Sequence, residues 1–290
     1  GLFKSGDLRD FEGINCLTER LKPMILVPTT AGTGSEVSAV AMIRDKETGK
    51  KLLYGSEFLY ADIALLDPLL IVSLPPRLTA ATGLDALTHC LESYVSGTSN
   101  SFSDALALEA GALLFAHLPR ATSCGDDIEA RSATLLASCM AGVAFTNAGV
   151  GVVHALAHTI GGKYGTHHGL TNAVLLPHGM HLNLRWSTAR YAKFWRYLAG
   201  SGIFSDIGYE SLVSKVQLDD PQAAQLLVNA VKELMKLCNL PVSLREIGVP
   251  ILGGDELLEL ADIAMTDPAI MFNPGEVTME DLVNILKEAF

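Results

Sequence analysis

The feature that most constrains this chain is a stretch of 31 residues, 132–162, without a single Lys, Arg, Asp or Glu. Its length raises the question of a membrane span, and its content answers against one. Asn147, His154 and His158 lie inside it, with Ser132, Ser138, Thr134, Thr146 and five glycines, and no basic cluster flanks it. The run reads instead as two buried helices joined near the segment FTNAG at 145–149. A histidine placed in such surroundings needs a partner. An unpaired polar ring costs on the order of 1–3 kcal/mol to bury.

Four of the eight histidines fall within residues 151–177, GVVHALAHTIGGKYGTHHGLTNAVLLP. His154 and His158 are spaced i, i+4, so on a helix they share one face. Upstream, GLDALTHCLESY at 83–94 repeats that spacing with Asp85 and His89. Two helices that each offer an imidazole or carboxylate donor to a common centre make a transition-metal site. One such pair alone is as readily two satisfied core histidines beside a capping aspartate. Asp85, His89, His154, His158, His167 and His168 together favour the metal.

The net charge of −11 lacks the clustered Lys and Arg that phosphate neutralisation requires, which argues against a nucleic-acid partner. With 49 % apolar and 18 % charged residues the chain has ample material for a packed core. Its five cysteines are odd in number and form no CxxC, as expected of free thiols in a reducing cytoplasm. The N-terminal residues are polar and mixed and carry no signal pattern.

Taken in order, residues 1–20 read as an entry segment in mid-fold. The run 24–29, MILVPT, reads as a buried strand leading into TTAGTGSE, where Gly32 and Gly34 permit tight turning and Thr29, Thr30, Thr33 and Ser35 supply hydroxyls. A plain turn is the simpler reading of that loop, and a phosphate or ribose cradle the functional one. Strands are expected at 37–45, 51–55 and 61–67, with DKETGK at 45–50 as a hairpin turn. After Pro75 and Pro76 the pattern turns helical, which places a domain boundary near residue 74. Helices are expected at 78–95, 101–117, 127–143, 150–161, 170–183, 188–199, 221–238, 255–265 and 278–289, the last opening with a Thr278-x-x-Asp281 box. The segment GYESLVSKVQ at 208–217 reads as a further amphipathic bundle helix.

Three motifs, PTTAGTGSEV at 28–37, LPPRLTAATGLDALTHCLESY at 74–94 and AGVAFTNAGVGVVHALAHTIGGKYGTHHGLTNAVLLPH at 141–178, make the chain resemble the iron-containing (group III) alcohol dehydrogenases. The C-terminal pattern at 273–289 agrees, and the similarity covers essentially the whole chain. The resemblance implies an α/β remnant of a dinucleotide-binding domain (1–74) followed by a large all-α metal-binding domain (75–290). It implies metal ligands at Asp85, His89, His154 and His168, and puts His158 in the active site on the cofactor side. Thr29, Thr30, Thr33 and Lys51 match positions that contact the dinucleotide, and Phe145 one that lines the substrate pocket. Many relatives have Pro-His-Gly where this chain has His167-His168-Gly169, so His167 is expected to be a bystander. Relatives also carry an upstream Gly-Gly-Gly-Ser loop and an acidic residue for the adenosine ribose, neither of which occurs here.

The implied activity is hydride transfer between a small primary alcohol or aldehyde and NAD(H) or NADP(H), with Fe²⁺ or Zn²⁺ as the Lewis acid. The implied setting is a soluble cytoplasmic homodimer or higher homo-oligomer that engages neither nucleic acid nor membrane. Two other readings stand beside it. One is a catalytically incomplete metal-binding helical protein or fragment, and the other is a polyol oxidoreductase akin to glycerol dehydrogenase.

Overall fold

The structure is a computed structural model describing residues 7–45, 47, 51–203, 218–250 and 253–290. The expected helix at 208–217 and most of the DKETGK turn lie outside these residues. The chain divides into a small β-rich part and a large helical body, and every described strand precedes residue 65.

The β-rich part contains β1 (Gly13–Ile14), β2 (Ile25–Leu26), β3 (Val40–Arg44), β4 (Lys51–Gly55) and β5 (Ile63–Ala64). β3 and β4 pair antiparallel with Arg44 opposite Lys51, as the expected hairpin requires, and β1 joins β4 in parallel. β2 pairs in parallel with β5 alone. The run 24–29 is therefore a strand over two residues only, and it is not buried: Ile25 is 60 % exposed. A two-stranded ribbon has too few neighbours to cover both of its faces. The expected strand at 37–45 likewise begins late. Residues Ser35–Val37 form a 3₁₀ turn whose N-cap, Gly34, has a left-handed φ of 58°.

The body holds α1 (Pro76–Val95), α2 (Ser101–Ser123), α3 (Ile128–Ala148), α4 (Val152–Tyr164), α5 (His168–Gly200), α6 (Asp220–Leu237), α7 (Gly254–Met265) and α8 (Met279–Glu288). The expected helices at 170–183 and 188–199 run together as α5, kinked at Ser187, whose φ and ψ of −122° and 16° are not helical. Thr188 Oγ1 donates to the Leu184 carbonyl at 2.6 Å, a side-chain bond of the kind that bends helices. The Thr278–Asp281 box caps α8 as its spacing predicts.

α1 is the spine of the body. Every residue from Thr79 to Val95 is buried, including the small Ala80, Ala81, Gly83 and Ala86 that let neighbouring helices come close. Gly83, for instance, lies where an added Cβ would fall 2.3 Å from Leu118 of α2. α3 meets α1 and α2 along its length, and it is the one described helix long and apolar enough to cross a membrane by length and composition alone. Its N-terminal half carries the buried Arg131. That guanidinium donates to the carbonyls of Gly125, Val72 and Leu74 and to Thr79 Oγ1 at 2.6–3.3 Å, so it stitches the entry to α1 onto α3. Residues 132–148 of the uncharged run thus belong to α3 and residues 152–162 to α4, two helices as read from the sequence.

Candidate metal centre

α1 brings Asp85 and His89 to one buried face, one turn apart, and α4 brings His154 against them. Each of the three offers a donor atom within 4.8 Å of the other two. His168, the first residue of α5, reaches in from the open side, with its Nε2 3.5 Å from Asp85 Oδ1 and its side chain 38 % exposed. The rings of His89 and His154 stack at 4.7 Å, and those of His154 and His168 lie 5.4 Å apart. The four residues that the resemblance names as ligands thus meet at one place, although they come from three helices.

Asn172, one turn into α5, touches three of these residues. Its Nδ2 lies 2.6 Å from Asp85 Oδ1, 3.2 Å from His154 Nε2 and 3.1 Å from His168 Nε2. The amino end carries two N–H donors for these three neighbours and Asp85 takes one of them, so Asn172 ties the carboxylate to the imidazole edges of α4 and α5. Asp85 Oδ1, His154 Nε2 and His168 Nε2 therefore border one small space that the Asn172 amino group shares. A third imidazole stands beside them: His89 is fully buried, and its Nδ1 has no partner among the described residues. Burial pushes His89 down to about 3, with the neighbouring His154 and His168 acting in the same direction and Asp85 against it, so the ring is neutral near pH 7. Burial likewise lowers His154 and raises Asp85. Neutral imidazoles and one carboxylate are the donor chemistry that Fe²⁺ and Zn²⁺ take. The residues present fit the ion.

His154 and His158 share a helix face but differ in setting. His154 is buried and its Nδ1 lies 2.6 Å from Glu92 Oε2, whereas the His158 side chain is 43 % exposed and its Nδ1 lies 2.9 Å from Asp267 Oδ2. α4 is covered at His154 and open at His158. The His158 ring stacks on His168 at 5.3 Å with 9° between planes, so it adjoins the centre without facing it. Phe145, near the end of α3, stacks on His89 at 4.4 Å. His167 is exposed and lines, with Arg77 and Leu78, a cavity of about 230 Å³.

The Gly/Thr/Ser loop lies over the same region. Gly32 packs on Thr82 of α1, where an added Cβ would fall 2.7 Å from the Thr82 Cβ, and Gly34 meets Gly142 of α3 so closely that a Cβ on either would clash. Thr29 and Thr33 are exposed and Thr30 is half-buried. Thr33 Oγ1 is already engaged within the loop by the Ser35 hydroxyl at 2.8 Å. The Lys51 side chain lies outside the described residues.

Three residues of the site escaped the sequence reading. Glu92 stands one turn beyond His89 on the same face of α1, a signal visible in THCLES. Asn172 follows His168 at i+4. Asp267 lies 109 residues from the ring it holds, and no spacing points to it.

Comparisons with known proteins agree with this geometry. Residues 79–290 match the C-terminal region of the Fe-containing alcohol dehydrogenase family, and residues 2–68 match the iron-containing alcohol dehydrogenase model. The chain is 35 % identical over 284 residues to the NAD-dependent methanol dehydrogenase of Bacillus methanolicus, covering 98 % of this chain and 70 % of that protein. It is 37 % identical to alcohol dehydrogenase 4 of Saccharomyces cerevisiae, covering 98 % and 69 % respectively. A crystal structure of 1,3-propanediol oxidoreductase superposes on all of this chain and 72 % of its own, with a TM-score of 0.91 and 35 % identity. With both parts of the chain matched, the protein belongs to the iron-containing alcohol dehydrogenase family.

Proposed function

We propose that this chain is a metal-dependent dehydrogenase that moves a hydride between a small primary alcohol or aldehyde and NAD(H), with Asp85, His89, His154 and His168 holding the ion. One observation carries the reading: buried Asp85, His89 and His154 each offer a donor atom within 4.8 Å of the others, and His168 Nε2 lies 3.5 Å from Asp85 Oδ1. When bound, Fe²⁺ or Zn²⁺ supplies a Lewis acid that lowers the pKa of an alcohol oxygen.

The protein's own residues do the rest. His158 donates its Nδ1–H to Asp267, which leaves Nε2 free to accept the alcohol proton and pass it to solvent at the exposed edge of the ring. Phe145 covers one face of His89 and walls the substrate side. Thr29, Thr30 and Lys51 contact the dinucleotide, and Thr33 contributes by shaping the loop through Ser35. Residues 1–74 and 75–290 act as a nucleotide-side unit and a metal-side unit, and the working assembly is a cytoplasmic homodimer. The small-alcohol specificity of the relatives, methanol and 1,3-propanediol among them, supports the substrate class.

The test is made on protein dialysed and reloaded with Fe²⁺ or Zn²⁺. NADH should bind with an affinity of about micromolar, and NAD⁺ should be reduced in the presence of propan-1-ol or 1,3-propanediol. Absence of NADH binding by the metal-loaded protein would overturn the dehydrogenase reading and leave the metal-binding helical protein. His158→Ala should keep its metal while turnover drops by about 10²–10⁴-fold. If the metal leaves with that ring, His158 is a ligand and its assignment fails.

A further inference from the structure

Glu92 is buried in α1 at 3 % exposure, and both of its oxygens are used on α4. Oε1 accepts the backbone N–H of Val153 at 2.7 Å, and Oε2 lies 2.6 Å from His154 Nδ1. These contacts span 61 and 62 residues of sequence.

Two features show that the contact is built in. First, α4 has no cap of its own. Its N-cap is Gly151, which has no side chain to offer, and the first two N–H groups of the helix are accepted from outside, Val152 by Asn273 Oδ1 and Val153 by Glu92. A Cβ at Gly151 would fall 2.8 Å from Asn273 Oδ1 and 3.1 Å from Glu92 Oε1, so the space of an ordinary capping side chain is already filled by these two residues. Second, the Glu92 carboxylate stands 2.6 Å from His154 Nδ1, which takes the ring proton to that nitrogen and leaves the lone pair on Nε2, the edge that faces Asp85 at 3.9 Å.

We propose that Glu92 is a positioning residue of the metal site. By accepting from the Val153 N–H and the His154 Nδ1–H together, it caps α4, fixes the His154 tautomer and turns its Nε2 toward the ion. This rests on His154 being a ligand, as proposed above. A carboxylate has two acceptor oxygens for these two donors, and an amide has one. Glu92→Gln keeps the shape of the side chain yet sets a donor against a donor at one of the two contacts.

The readout is Zn²⁺ affinity, measured on the full chain by competition with a chromophoric chelator, beside the thermal midpoint of the metal-free protein. Glu92→Gln should weaken Zn²⁺ binding by about 10–100-fold. A role confined to capping would lower the midpoint and leave Zn²⁺ affinity at the parent value, and that result overturns the proposal. If Glu92→Gln does not fold, a long-range ¹H–¹⁵N imidazole spectrum of the unchanged Zn²⁺-loaded chain decides. His154 protonated on Nδ1 supports the assignment, and protonation on Nε2 overturns it. His154→Ala separates this proposal from the one it rests on: if that variant keeps Zn²⁺, the ligand assignment itself has failed.

Discussion

The helical body and the β-rich part meet at the same site but hold their residues by different means. In the body the donors stand on long helices, and Leu84, Leu87 and Leu91 beside them on α1 are fully buried. In the β-rich part three of the five strands are two residues long, and Ile63 and Leu69 are 52 % and 62 % exposed. The helical donors are therefore positioned by packing, and the β-rich part by turn chemistry and two close backbone contacts. The two should respond differently to the same kind of change.

The sharpest way to break this contrast lies at the donors. Removing one ligand of a Lewis acid worth several kcal/mol should cost on the order of 10³-fold or more in turnover, so His154→Ala and His168→Ala should lose both metal and activity. Elemental analysis of the purified variants checks this, and full occupancy in the His168 variant would remove it from the ligand set. Next in size is the core. Leu114, fully buried in α2, should cost about 2–5 kcal/mol as Leu114→Ala in urea unfolding, because the helices around it cannot close the cavity fully. At the small end, Ile25→Ala in the exposed ribbon should change stability by less than about 0.5 kcal/mol. A loss at Ile25 comparable with that at Leu114 would show that a further surface covers the ribbon in solution.

How far the sequence reveals this molecule follows the same contrast. The helices were legible because their apolar spacing is what packing rewards, and the Asp85–His89 and His154–His158 pairs were legible because i, i+4 spacing is local. The separation of His154 from His158 was not legible from spacing, since it depends on which part of α4 is covered, and only the resemblance to the family divided their roles. The strand at 24–29 was overread because an apolar run specifies burial only where a sheet exists to bury it. Asp267 was invisible for a related reason: it acts on a ring in another element, and the pairing exists only once the helices have docked, whereas Glu92 shared a face with His89 but its partner did not. The kink at Ser187 accompanies a hydroxyl-to-carbonyl bond from Thr188 to Leu184, which the apolar periodicity of 170–199 does not register.

The two glycine contacts of the TTAGTGSE loop give the site a fixed gauge. Gly32 rests on Thr82, three residues before Asp85, and Gly34 rests on Gly142, three residues before Phe145. The loop is thus tied to α1 just before Asp85 and to α3 just before Phe145 by two separate backbone contacts, and a side chain added at Gly32, Gly34 or Gly142 would push it off the helix it rests on. A lightly packed segment is in this way registered against a rigid one.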